Sequence, residues 1–63
     1  MHSKIMYVNY IDGHSQKKLY ITKSDIIPEK GSFININERT YKVVLIVFWL
    51  GDATDYVDVF LEG

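Results

Sequence analysis

The stretch Tyr41–Asp52, YKVVLIVFWLGD, decides the fold, because Val43 through Leu50 forms an unbroken apolar run of eight residues. A membrane-spanning helix needs about 20 such residues, and the β-branched and aromatic types here suit a strand. Side chains along a strand alternate between two faces. One face then holds Tyr41, Val43, Leu45, Val47 and Trp49, and the other Lys42, Val44, Ile46, Phe48 and Leu50. Both faces are apolar, so one of them needs a cover.

The segments on either side of this run also read as strands. Ile5–Ile11 alternates Met6, Val8 and Tyr10 against Ile5, Tyr7 and Asn9, and the DGHSQ that follows carries the Asp-Gly signal of a tight turn. KKLYIT then sets Leu19 and Ile21 against Lys18, Tyr20 and Thr22. In KSDIIPEKG, Ser24 or Asp25 is placed to cap a short turn, and Pro28 forces Ile27 into an extended conformation. SFININ sets Ile34 and Ile36 against Phe33, Asn35 and Asn37, and the polar NERT joins it to the apolar run. After GDATD, YVDVFLE places Val57, Val59 and Leu61 inward and Tyr56, Asp58, Phe60 and Glu62 outward. The expectation is one all-β domain over residues 1–63: a five-stranded antiparallel meander, bent into a small, partly closed SH3-like or OB-like barrel.

Composition narrows the function classes. A chain of 63 residues buries only about 60% of its unfolded surface, and domains this small lean on disulfides, a metal or self-association. There is no cysteine, and His2 and His14 are the only imidazoles, short of the four N/S ligands of a structural zinc site. Self-association, most simply a homodimer, remains, with no cofactor and no metal expected. The lack of cysteine and of a signal-peptide pattern or membrane span points to a cytoplasmic protein. Residues 1–31 carry five lysines against three acids, whereas residues 32–63 carry Arg39 and Lys42 against five acids. With a net charge of −1, generic polyanion binding is disfavoured, and the C-terminal segment is acidic.

The segment IIPEKGSFININERTYKVVLIVF resembles a layout found in many short proteins of bacteriophages and other mobile elements. There a Pro-x-x-Gly turn leads into a short alternating strand, a polar turn and a strand that begins Tyr-x-Val. The matching positions are Pro28, Gly31, Ile34, Ile36, Tyr41, Val43 and Val44, within residues 26–48. The resemblance implies a small β-barrel and a phage-type accessory protein at work in a host cytoplasm. It carries no catalytic residue.

Three constellations invite a chemical reading. Asp12, His14 and Ser15 are the residue types of a catalytic triad, but triad partners come from separate elements and need an oxyanion hole; in a hairpin turn their types are explained by turn chemistry. Asp52, Asp55 and Asp58 do not have the spacing of a calcium loop, and read either as edge protection or as an acidic contact surface. Lys17, Lys18 and Lys23 around Tyr20 form the one cationic and aromatic cluster suited to stacking single-stranded nucleic acid.

The leading expectation is a non-enzymatic interaction protein that binds and modulates or inhibits a host protein, such as a defence or nucleic-acid-handling factor. Its contact surface combines Val44, Ile46, Phe48, Leu50 and Phe60 with Asp52, Asp55 and Asp58; Lys42 shares a face with the first four and so marks it as the outward one. Folding of the first segment or of SDIIP over that face is the alternative that needs no partner. A single-stranded nucleic-acid-binding barrel using Lys17, Lys18, Tyr20 and Lys23 is the alternative function.

Overall fold

The computed structural model describes residues 5–51 and 55–63. It contains five strands, β1 Met6–Asp12, β2 Lys18–Ser24, β3 Phe33–Ile36, β4 Arg39–Trp49 and β5 Tyr56–Glu62. They form a single curled sheet, a half-barrel, in the order β2-β1-β5-β4-β3. Neighbours are antiparallel except β1 and β5, which run parallel.

That parallel seam corrects the expected meander. A hairpin, β1–β2, and a three-stranded antiparallel unit, β3–β4–β5, are placed side by side, leaving β2 and β3 at opposite edges. The connection over residues 25–32 makes this possible. Ile27 packs against the core, and the backbones of Gly31 and Ser32 bond to Val43 (Gly31 N–H to Val43 O at 2.8 Å, Val43 N–H to Ser32 O at 2.9 Å). The chain is thereby delivered to the far edge instead of pairing β3 with β2.

The turns follow local chemistry. Asn37 and Glu38 form a two-residue hairpin turn with φ of 52° and 66°, the signature of type I′, whose twist matches that of the strands it joins. Gly31, at φ 93°, closes the Pro28–Gly31 turn in a region that disfavours any side chain. Ser24 Oγ accepts from the Ile26 amide at 3.0 Å, a local turn with no helix behind it.

The core lies on the concave face. Val8, Val43, Val57, Val59 and Leu61 are fully buried, and Met6, Tyr10, Ile34, Ile36, Tyr41 and Ile46 are among the residues packed around them. Central β5 contributes three of the five, as its alternation implied.

A bulge in β4 changes the reading of the apolar run. Val43 pairs with Leu61 and Leu45 with Phe60, so Val44 is an extra residue between two adjacent rungs. An extra residue reverses the side-chain parity beyond it. Ile46 and Phe48, opposite Val59 and Val57, therefore turn inward, while Leu45, Val47 and Trp49, opposite Phe60, Asp58 and Tyr56, turn outward. The expected outward orientation is corrected accordingly for Ile46 and Phe48; Val44 is the unpaired bulge residue, and Leu50, beyond the last rung, is exposed. β2 carries a similar irregularity where Tyr10 pairs with Tyr20 but Ile11 with Lys18, and it sends Tyr20 and Thr22 inward and Ile21 outward.

Candidate functional site

The side of the sheet opposite the core is built from three successive rungs, each crossing four strands. The first is Trp49–Tyr56–Tyr7–Lys23, the second Val47–Asp58–Asn9–Ile21 and the third Leu45–Phe60–Ile11–Lys18. Directly opposed residues on neighbouring strands share a face, so these side chains form one continuous surface. Tyr7, Ile21, Leu45, Trp49 and Tyr56 on it are each between about a third and a little over half exposed.

The first rung is aromatic. The Trp49 and Tyr56 rings stack with centroids 6.0 Å apart and planes 17° apart, and Lys23 Nζ lies 5.1 Å from the centre of the Tyr7 ring. The geometry is that of an offset stack beside a cation–π contact. A groove of about 350 Å³ runs between Tyr7, Asn9, Lys18 and Tyr56.

The second rung is held by a polar chain. Asn9 Nδ2 donates to Asp58 Oδ1 at 3.0 Å, and Trp49 Nε1 donates to Asp58 Oδ2 at 2.9 Å. Asn9 is buried, so its amide depends on that carboxylate for an acceptor. Asp58 thus orients Trp49 and satisfies Asn9 in one step. Among the described residues no buried side-chain nitrogen or oxygen lacks a hydrogen-bond partner. The third rung is apolar up to Lys18 at its β2 end, and its Ile11 is buried although it lies outside the core cluster.

The residues singled out in the sequence are dispersed. Phe60 is on the outer face, between Leu45 and Ile11. Val44 sits at the bulge and lines a hollow with Asp12, Gly13 and His14; Ile46 packs on the core; Phe48 faces inward yet is half exposed; and Leu50 lies beyond the end of β4. Asp55 accepts from the Gly51 amide at 3.1 Å, Asp58 is committed to the polar chain, and Asp52 lies outside the described residues. The two of these acids among the described residues, Asp55 and Asp58, thus each accept hydrogen bonds from within the chain. Lys17, Lys18, Tyr20 and Lys23 do not form one surface either: Lys18 and Lys23 flank the outer face, Lys17 is in the turn before β2, and Tyr20 points to the concave side, 6.2 Å from Tyr10.

On the concave side, Tyr10, Tyr20, Thr22, Ile34 and Ile36 line a cleft of about 370 Å³ between the edge strands. Burial pushes the Tyr10 phenol above its ordinary pKa, with a smaller repulsive contribution from Tyr20. In the turn after β1, Asp12 Oδ1 accepts from the backbone amide of His14 at 2.9 Å, an arrangement of turn chemistry and not of a triad. Among the described residues, no three His, Cys, Asp or Glu side chains gather as metal ligands would, and no helix is long and apolar enough to cross a membrane.

Comparison with protein-family models, curated proteins and solved structures found no match.

Sequence reasoning missed Tyr7, Asn9, Ile21, Leu45, Trp49 and Tyr56 as members of one face. The parallel β1–β5 seam places Tyr7 and Asn9 beside Tyr56 and Asp58, residues 49 positions apart in each case. The one signal in the sequence was the Asn9 and Asp58 pair, polar positions inside otherwise apolar strands.

Proposed function

We propose that this chain is a non-enzymatic protein-interaction module whose contact surface is the outer face of the sheet. The observation that carries the reading is the continuous set of half-exposed Tyr7, Ile21, Leu45, Trp49 and Tyr56. Phe33 and Leu50 border this face, Phe33 opposite Lys42 on the edge strand and Leu50 beside Trp49 and Tyr56 around a hollow of about 220 Å³, whereas Ile26, more exposed still, stands apart on the β2–β3 connection, where an isolated apolar side chain is ordinary. Contiguity distinguishes the outer face, and patches of a few hundred Å² are the scale at which interaction sites are found. The resemblance of residues 26–48 to accessory proteins of phages and mobile elements suggests a host protein, modulated or inhibited by being bound, as the partner.

Immobilised wild type and Ile21→Asp, each exposed to a lysate of the source cells, provide the test. The expected result is a protein retained by the wild type and lost by the variant, whether another copy of this chain or a different protein. Retention of nothing by either, or of the same proteins by both, would remove the reading.

A second reading has its own observation. The aromatic rung ends at Lys23, with Lys18 two rungs away on the same margin, and aromatic rings beside cations stack single-stranded bases. Retardation of a labelled single strand that weakens steeply with salt is its expected result; no retardation at low salt rejects it.

A further inference from the structure

We infer that the outer face is covered by a second copy of this chain, the two sheets packed face to face about a two-fold axis. This rests on the contact reading above and names the partner.

Area is the first support. Tyr7, Ile21, Leu45, Trp49 and Tyr56 are 44, 54, 50, 49 and 37% exposed; with 150–250 Å² for a whole aromatic side chain, they present on the order of 500 Å². That is about a tenth of the 4880 Å² molecular surface, the share a standard interface takes from a small protein. Val47, Phe60 and the lysine stems at the margin extend it toward the roughly 800 Å² per partner of such interfaces. In an isologous pair the same patch serves both copies, so no second surface is required.

Charge is the second. Lys18 and Lys23 lie on β2, on one side of β1, whereas Asp58 and Glu62 lie on β5, on the other, with Lys42 opposite Glu62. A two-fold axis running along β1, between the two sheets, brings the lysine margin of each copy over the carboxylate strand of its partner. A uniformly acidic or basic partner would meet like charge on half of this face. A second copy meets unlike charge on both halves.

The polar centre is compatible with drying. Asn9 Nδ2 and Trp49 Nε1 already have their acceptor in Asp58, so covering the face strands neither donor.

Sedimentation equilibrium of the purified full chain, from low-micromolar to millimolar concentration, tests the inference. The expected result is a reversible doubling of mass, weakened roughly tenfold or more by Ile21→Asp or Leu45→Asp and unaffected by Ile26→Asp on the β2–β3 connection. Circular dichroism of each variant checks that it folds. If both face variants unfold, Lys23→Glu, a margin change that spares the apolar rungs, takes their place with the same expectation. A folded wild type that stays monomeric throughout overturns the inference, as does a dimer that none of the folded face variants weakens. If the purified chain is monomeric but the lysate experiment retains a different protein, the second copy is wrong and the contact face stands. If both experiments are negative, both are wrong.

Discussion

Replacing Asp58 by alanine tests whether the polar chain at the centre of the outer face is structural. The carboxylate holds two donors with different access to water: Asn9 is 8% exposed and Trp49 is 49% exposed. Losing the acceptor strands the Asn9 amide, which costs about 1–3 kcal/mol, whereas water can replace it at Trp49 for roughly 0.5 kcal/mol or less. The expected loss is about 1–3.5 kcal/mol, which for a 63-residue domain is a fall in Tm of roughly 5–25 °C. Urea unfolding followed by far-UV circular dichroism, at one protein concentration so that any association is held fixed, measures it. The ranking follows from the same reasoning. Trp49→Phe should cost less than about 1 kcal/mol, and Asn9→Ala with Asp58→Ala should together cost about 1–2 kcal/mol less than their separate effects combined. An Asp58→Ala variant within about 0.5 kcal/mol of wild type, or a Trp49→Phe loss as large as that of Asp58→Ala, refutes this account of the rung.

Other predictions concern the turns and the concave side. Glu38 occupies a left-handed position with φ 66° at the second site of the type I′ turn; Glu38→Gly should raise stability by about 0.5 kcal/mol after the greater flexibility of glycine in the unfolded chain is counted, seen as a small rise in Tm. The Asp12 carboxyl is held below its usual pKa, chiefly by the His14 amide, so its contribution is present above the unfolded value of about 4 and is lost as pH falls through the folded value. Melting curves of Asp12→Asn should then decline less steeply in acid, and an equal decline would refute the assignment. The Tyr10 phenol is raised by burial, so its contribution is present below about pH 10 and is lost as pH rises through the folded value. Ultraviolet titration should show a late-titrating phenol that is missing from Tyr10→Phe, and an unchanged late phase would contradict its burial.

The strands were legible in the sequence wherever local pattern suffices. The alternations of Met6, Val8 and Tyr10 and of Val57, Val59 and Leu61 place those residues on the concave face, where all are buried or packed against the core. The Pro28–Gly31 turn is set by residue types a few positions apart, and such a signal survives without tertiary information; the turn after Asp12 falls within DGHSQ but takes its positive φ at Gln16, 65°, and not at Gly13. Two features did not show. The β1–β5 seam joins opposite ends of the chain, and no local periodicity records which strands meet. The Val44 bulge is invisible inside a run of eight apolar residues, because a parity change leaves no trace where both parities are apolar. The two faces of β4 beyond the bulge are therefore the reverse of those expected: Leu45, Val47 and Trp49 are the outward residues, and Lys42 marks that face only before the bulge.

Trp49 is the sole tryptophan and lies in the aromatic rung, so its emission reports on the face that the account makes the contact surface. The most direct measurement is its emission maximum as the concentration of the folded chain rises over the range in which mass is followed by sedimentation. A blue shift that tracks the gain in mass, and is absent in folded Ile21→Asp, is the predicted result. A doubling of mass with an unmoved Trp49 emission would contradict the account, because the copies would then meet elsewhere.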